Sequence, residues 1–429
     1  MKVLMVSPHP TYSPRGTPIS VLNRCRALSA LGHEVDLVTY GIGEDVPVPG
    51  LRYLRAPVPG IRSVKVGPSP AKVPLDLAVF ARTTALLARS RRRYDVLHTH
   101  EEAGVLGAAL RRPSRLPHVY DMGNDLSVVM TNYGYATTHV ATRLASGIES
   151  GVVSRSDVVI AHFPSIAARV STITGDPARA VVVPNIALEP VPDPVVTAEL
   201  RERWSVDGSP LALYTGTLED YQGIPAMVDA LAVLAERGVA ARLVVVGGRL
   251  DQQLALRARA DGHRLGDRLL IAGVLPPETI PSALAAADVL VSPRATGSNT
   301  PLKLFSYLGS GRPILATAID SHTQVLPRTC AALVPATAED LARGLAGLLA
   351  DPVAATAMAL RAKEVADARF GVVHYVREVA RAYAGVGGPA LSGREVQVAA
   401  ERLKDQLAQS APQPPGHPLR LVHDRPGAA

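Results

Sequence analysis

Cysteine is scarce. Two occur in 429 residues, Cys25 and Cys330, far apart along the chain. That excludes a disulfide framework and a cysteine-built metal cluster, and reads as two buried thiols in a reducing compartment. Aromatic residues make up only 4%. No basic stretch interleaves with stacking rings and zinc-finger spacing is absent, so nucleic acid is set aside as a partner. No window of about 18 apolar residues is free of charge, so no membrane-spanning helix is predicted. The N-terminus lacks the long apolar core of a secretion signal. The expected location is the cytoplasm.

Familiar catalytic fingerprints are missing as well. There is no G-x-G-x-x-G after the first strand pattern, no G-x-x-x-x-G-K-[ST] and no G-x-S-x-G. The absent dinucleotide fingerprint counts against a nicotinamide dehydrogenase. No Asp-x-Asp pair is present to hold a divalent ion on a diphosphate. The chemistry must therefore rest on backbone amides and a few side chains, and no metal cofactor is expected.

What is present is ample. The length suits two or three domains with sizeable cores. The net charge of +7 is unevenly placed: residues 1–190 hold 21 Lys/Arg against 14 Asp/Glu, residues 191–387 hold 19 against 20, and residues 388–429 hold 5 against 4. A basic first half suits an anionic membrane face or an acidic acceptor. Its densest cluster, Arg89, Arg91, Arg92 and Arg93, reads equally as a solvated helix end favoured by the dipole.

Short apolar runs ending at turn residues alternate with helical patterns. KVLMVSP (2–8), HEVDLVTY, DVLHTH (95–100), PHVYDM (117–122), DVVIAH (157–162) and AVVVPN (180–185) read as buried parallel strands. Proline clusters in PNIALEPVPDP (184–194), an interdomain linker. The rhythm restarts at LALYTG (211–216), ARLVVVGG (241–248), LLIAGV (269–274), ADVLVSP (287–293), RPILAT (312–317) and AALVP (331–335). The predicted fold is α/β, two Rossmann-like doubly wound domains in tandem facing a central cleft. The domains run over 1–187 and 188–366. A helix over 367–387 follows, then a tail over 388–429, expected to be largely disordered apart from an amphipathic piece at Glu395–Gln409.

Four places offer ligand contacts at strand ends. In SPRGTPIS (13–20), Gly16 permits close backbone approach before a helix start, though an ordinary βα turn looks the same. In DVLHTHEE, His98 and His100 fall on one strand face near its carboxyl end, followed by Glu101 and Glu102. Buried structural histidines are the competing reading, and zinc is the weaker one because no third ligand of suitable spacing follows. LYTGTLEDYQGI (213–224) has phosphate-cradle geometry without a lysine. In SNTPLKLFSYLGSGRPIL (298–315), Ser298, Asn299 and Thr300 precede Pro301, placed at a helix's first turn, and Lys303 adds a charge.

These residues, in this order, resemble the GT-B glycosyltransferases of retaining family 4, over residues 1 to about 386, with TPLKLFSYLGSGRPILAT the most specific block. The resemblance implies an acceptor domain first, a nucleotide-sugar donor domain second, and a helix near 370–384 that crosses back. It implies metal-independent transfer of a hexose with retention, onto a lipid-linked or polysaccharide acceptor at the inner membrane face. The pattern departs at charged positions. Thr217 stands where the family has Arg and Gln222 where it has Lys. Ser298 and Ser306 stand where it has two glutamates.

The roles that follow are these. His100 stands beside the donor sugar, with His98 supporting. The amides of Gly16, Asn299 and Thr300, with Lys303, stabilise the departing diphosphate. Ser306 meets the ribose. Arg249 and Arg294 supply part of the missing positive charge, Arg294 alternatively fixing its loop. Gly247 and Gly273 lie around the base. Asp121 meets the acceptor or caps a turn. Competing functions are a non-catalytic nucleotide-sugar binder, motivated by the missing charges, and a GT-B nucleotide-sugar 2-epimerase.

Overall fold

A computed structural model describes residues 1–11, 16–64, 69–90, 93–124, 139–187, 191–205, 207–297 and 299–409. Two compact units result: Met1–Leu188 with Gly297–Phe305 and Ala366–Ser410, and Glu189–Thr296 with Ser306–Val365.

The first unit is built on seven parallel strands: β1 (Lys2–Val6), β2 (Glu34–Tyr40), β3 (Leu51–Ala56), β4 (Val96–His100), β5 (His118–Met122), β6 (Val158–Ala161) and β7 (Ala180–Val182). Their order is β3-β2-β1-β4-β5-β6-β7, so the topology reverses at β1. The central strands are almost wholly buried, as a sheet covered on both faces requires, apolar in β1 after Lys2 and in β6, while β4 buries His98, Thr99 and His100. β3, LRYLRA, escaped the sequence reading. It is an edge strand, paired only to β2, and carries Arg52 and Arg55. Helices α1 (Gly16–Ala30), α2 (Lys72–Ser90), α3 (Gly104–Ser114), α4 (His139–Arg155) and α5 (Pro164–Thr174) connect these strands.

The second unit has six parallel strands: β8 (Leu211–Thr215), β9 (Arg242–Val246), β10 (Leu269–Gly273), β11 (Val289–Ser292), β12 (Ile314–Thr317) and β13 (Ala332–Val334). Their order is β10-β9-β8-β11-β12-β13, reversing at β8. Helices α6 (Pro194–Trp204), α7 (Ile224–Glu236), α8 (Leu250–Gly262), α9 (Ile280–Ala286), α10 (Lys303–Gly309), α11 (Asp320–Thr323), α12 (Ala338–Ala350) and α13 (Pro352–Phe370) accompany them, α10 from Ser306 onward and α13 as far as Val365. Reversal points at β1 and β8 mark where such sheets bind ligands, outside the strands' carboxyl ends.

After α13 the chain rejoins the first unit as α14 (Val372–Ala384) and α15 (Gly393–Gln409). Tyr375, Val376, Val379, Val396, Ala399, Ala400 and Leu403 enter one core with Val21, Cys25 and Leu28 of α1. The amphipathic piece expected at Glu395–Gln409 is helix α15, packed into this core. Residues 410–429 lie outside the described part. Among the described residues, no single helix is long and apolar enough to cross a membrane.

Candidate functional site

In the first unit, His100 of β4 pairs in register with Asp121 of β5. His98 lies two residues back, and the two imidazoles stack with centroids 5.2 Å apart. This is the shared face that strand alternation predicts. Asp121 lies at the centre of a buried network. Arg24 of α1 donates from Nε to Asp121 Oδ2 at 2.9 Å, and His162, just beyond β6, donates from Nε2 to Oδ1 at 2.7 Å. His100 Nε2 is 3.3 Å and His98 Nε2 3.5 Å from Oδ2, close enough for charge attraction but without hydrogen-bond geometry. Tyr383 of α14 places its hydroxyl 2.8 Å from His98 Nδ1, and Arg24 lies over the Tyr375 ring.

Burial alone would raise the Asp121 carboxyl, but Arg24, His100 and His162 outweigh it and hold it well below the usual carboxylate range. Burial pushes His100 down to about 3, against the pull of Asp121. The result is an ionised carboxylate beside a neutral imidazole. Asp121 has no exposed surface. The contact with an acceptor expected for it therefore finds no exposed surface on Asp121 itself.

The third ligand atom that spacing could not supply comes from the neighbouring strand: His98, His100 and Asp121 offer ligand atoms within 4.8 Å of one another. Arg24 shares the same carboxylate oxygen, and its charge opposes a metal ion there. His9, Glu101 and Glu102 form a second such group, with Lys72 on Glu102 at 3.1 Å. Glu101 adopts φ 45°, a left-handed conformation unusual for a residue with a side chain.

Gly16 begins α1. A Cβ there would meet Leu302 Cδ1 at 4.0 Å, so this turn and the 299–305 segment adjoin within the first unit. The helix expected from Pro301 begins at Lys303 and spans seven residues. The amides of Leu304 and Phe305 already donate to the carbonyls of Pro301 and Leu302, so they are not free for a ligand. Asn299, Thr300 and Lys303 have partners of their own. Ser306 is half-buried on α10. Ser298 lies outside the described residues.

In the second unit, four turns gather at the ends of β8 to β11. Gly216–Thr217 follows β8, and Gly223 closes the next turn. Gly247 follows β9, and its amide donates to Gly273 O at 2.6 Å. Gly247 has φ 112°, and a Cβ would stand 2.2 Å from Gly216 O; at Gly223, φ 71°, it would stand 1.9 Å from Pro293 O. Only glycine fits either place. Thr217 is exposed and Gln222 buried.

Two expected cations are differently employed. Arg294 is 4% exposed, lies over the Tyr221 ring and donates from Nε to Thr296 O at 2.8 Å, which is the loop-fixing alternative. Arg249 is engaged by Glu219 at 2.9 Å and Asp251 at 3.2 Å, so its charge is already answered by two carboxylates.

Sequence reasoning missed Arg24, His162 and Tyr383. A signal existed for two of them. Arg24 interrupts a helix whose neighbours Val21, Leu22, Cys25 and Leu28 are all core, and His162 follows β6 as His100 ends β4. It also missed His322, whose Nδ1 lies 2.8 Å from Thr317 O and Nε2 3.1 Å from Ser292 Oγ.

Comparison with known proteins completes the description. Residues 15–186 match the model of the glycosyl transferase 4-like domain, and residues 209–351 that of glycosyl transferases group 1. A 2-deoxystreptamine glucosyltransferase of Streptomyces kanamyceticus is 28% identical over 384 residues, covering 83% of this chain and 95% of the relative. A phosphatidyl-myo-inositol mannosyltransferase of Mycolicibacterium smegmatis is 24% identical over 425 residues, covering 95% and 99%. The crystal structure of HepE from Anabaena in complex with UDP superposes with a TM-score of 0.68 at 17% identity, covering 90% of this chain and 100% of that one.

Proposed function

The chain belongs to the GT-B group 1 glycosyltransferases, and from that membership we propose that it transfers a hexose from a nucleotide-sugar donor to a lipid-linked or polysaccharide acceptor, with retention and without a metal ion. The observation that carries the donor half is the set of glycine turns at the ends of β8 to β11. Gly216, Gly223, Gly247 and Gly273 leave backbone where side chains would stand. That suits a flat base lying close against the backbone; the amides of Gly216, Gly223 and Gly247 are themselves bonded to the carbonyls of Val246, Asp220 and Gly273. UDP in HepE, a protein of the same fold, supports this reading.

In this reading the second unit holds the nucleotide, with Thr217, Gln222 and Ser306 as neutral contacts. In the first unit, His100 meets the sugar and the turn at Gly16 the departing diphosphate, with Asn299, Thr300 and Lys303. Transfer with retention then needs the acceptor to attack the face the nucleotide leaves. The protein supplies orientation and leaving-group stabilisation rather than a nucleophile. The basic first half and the mannosyltransferase likeness support a lipid-linked acceptor at an anionic membrane face. A second reading, a soluble cyclitol acceptor, is favoured by the 2-deoxystreptamine glucosyltransferase likeness.

A thermal-shift panel of UDP-, GDP-, ADP- and TDP-sugars with their free nucleotides, run without metal, tests the donor half. One nucleotide family is expected to raise the melting temperature with concentration, as a ligand of the native state does. No shift with any of them would overturn the donor site. Lys303→Ala should lower the donor's shift; an unchanged affinity would misplace the diphosphate.

A further inference from the structure

We propose that Asp121 is a positioning residue that selects one ring tautomer of His98 and His100, with the proton on Nε2, and so presents His100 through Nδ1 as a hydrogen-bond acceptor. The inference rests, for its use in catalysis, on the reading that His100 faces the donor sugar. The tautomer itself rests only on geometry.

Asp121 is the one carboxylate in its network, and an ionised carboxylate only accepts. Three ring nitrogens surround it: His162 Nε2 at 2.7 Å from Oδ1, and His100 and His98 Nε2 at 3.3 and 3.5 Å from Oδ2. A bare ring lone pair held that close to a carboxylate oxygen is repelled. A ring N–H is attracted. Each ring therefore gains by carrying its proton on Nε2. Arg24, which fills the remaining approach to Oδ2 from α1, is a fixed donor and cannot take the proton's place.

The far side of His98 is compatible with this tautomer. Its Nδ1 is 2.8 Å from Tyr383 Oη. With Nε2 protonated, Nδ1 is a lone pair and the phenol O–H donates to it. Burial holds the Tyr383 phenol protonated, well above its ordinary range. Burial likewise lowers both His98 and His100, so at neutral pH each ring carries a single proton whose position is a real choice. The opposite tautomer of His98 would also be served by the phenol, whose oxygen accepts, but it would set a lone pair against Asp121. For His100, Nε2–H toward Asp121 leaves Nδ1 able to accept from a hydroxyl. Among the described residues its Nδ1 makes no hydrogen bond, and the side chain keeps 2% exposure. The long 3.3 Å separation leaves room to tighten when a ligand arrives, as unliganded sites commonly do.

The test is a long-range ¹H–¹⁵N correlation spectrum of the full-length chain labelled on histidine, recorded near neutral pH, with His98 and His100 assigned by single substitution to Asn. The expected result is pyrrole-type Nε2 and pyridine-type Nδ1 for both rings. A pyridine-type Nε2 at His100 overturns the proposal, and wild type alone decides this. Asp121→Asn should mix or reverse the tautomers. If that variant does not fold, Tyr383→Phe serves: it keeps the carboxylate, so both rings should stay Nε2–H, and a reversal would make Tyr383 the selector. Loss of the Nε2–H signals on adding Zn²⁺ would make the cluster a metal site and overturn the proposal too. The spectrum needs no substrate. A silent nucleotide panel with Nε2–H rings would sink the transferase reading alone, and the reverse outcome this inference alone.

Discussion

A carboxylate with no exposed surface persists only where cations and donors replace its lost water. Asp121 meets that condition through Arg24, itself 2% exposed, and through His162. Removing one partner strands the other. Arg24→Met should therefore destabilise the first unit by about 3–5 kcal/mol. Arg24→Met combined with Asp121→Leu should recover most of that loss, because no charge is left behind. Urea unfolding of Arg24→Met, Asp121→Leu and the double variant checks both statements, and a single variant costing under about 1 kcal/mol would show that the pair is not coupled. Gly247 poses the opposite kind of constraint, geometric rather than electrostatic. With φ 112° and Gly216 O only 2.2 Å from the Cβ position, Gly247→Ala must move one backbone segment or the other. It should strain the turn by roughly 1–3 kcal/mol and weaken the nucleotide-induced thermal shift. Gly262→Ala, where a Cβ meets nothing within 4 Å, is the control expected to leave the shift intact.

Elements show where local pattern suffices and where it does not. α15 was legible as an amphipathic helix because Val396, Ala399, Ala400 and Leu403 recur at helical spacing. Its docking was not, since its partner α1 is some 370 positions away: Gln406 Nε2 donates to Ser29 Oγ at 3.1 Å and Arg402 to Ala30 O at 3.5 Å. Leu403 has no exposed surface. Leu403→Ala should cost about 2–5 kcal/mol through lost burial and the cavity left, read as a lowered urea midpoint for the first unit. A cost near zero would mean that α15 is a loose appendage. The core strands were legible for a similar reason, as apolar runs punctuated by turns. β3 was not, because an edge strand with Arg52 and Arg55 carries too little apolar signal. The start of α10 was misplaced because Pro301 fits a first turn but also fits the turn before it, which is how Leu304 N→Pro301 O closes. Of the site, His98, His100 and the glycine turns were readable from position in a strand or loop. The setting of Asp121 was not: α1 sends Arg24 to it, β4 sends His98 and His100, the turn after β6 sends His162, and Tyr383 of α14 reaches it only through His98.

At the scale of the molecule these buried rings make the first unit sensitive to acid. Burial, first among the causes, lowers His33 to about 4, His100 to about 3 and His118 to about 3, from an ordinary 6.5. All three belong to the first unit. The folded chain keeps them neutral where the unfolded chain would take up protons. Their contribution is thus fully present above pH 6.5 and is lost as pH falls toward 4 and below. Between those limits each steepens the decline by at most about 1.4 kcal/mol per pH unit. Asp121, also lowered, adds its own loss only further into acid, as it is protonated. The first unit's urea midpoint should be level from pH 8 to about 7 and fall steeply below 6.5. Two units need not unfold together, so each transition must be followed by its own probe. Trp204, the chain's only tryptophan, belongs to the second unit and reports on it alone. His98 and His374 of the same unit are lowered by burial too, so His118→Gln removes one of several such groups and should flatten the slope without abolishing it. A midpoint unchanged between pH 6.5 and 4.5 would mean that these rings are already protonated in the folded state, and that the neutral, one-proton imidazoles on which the Asp121 network depends do not exist.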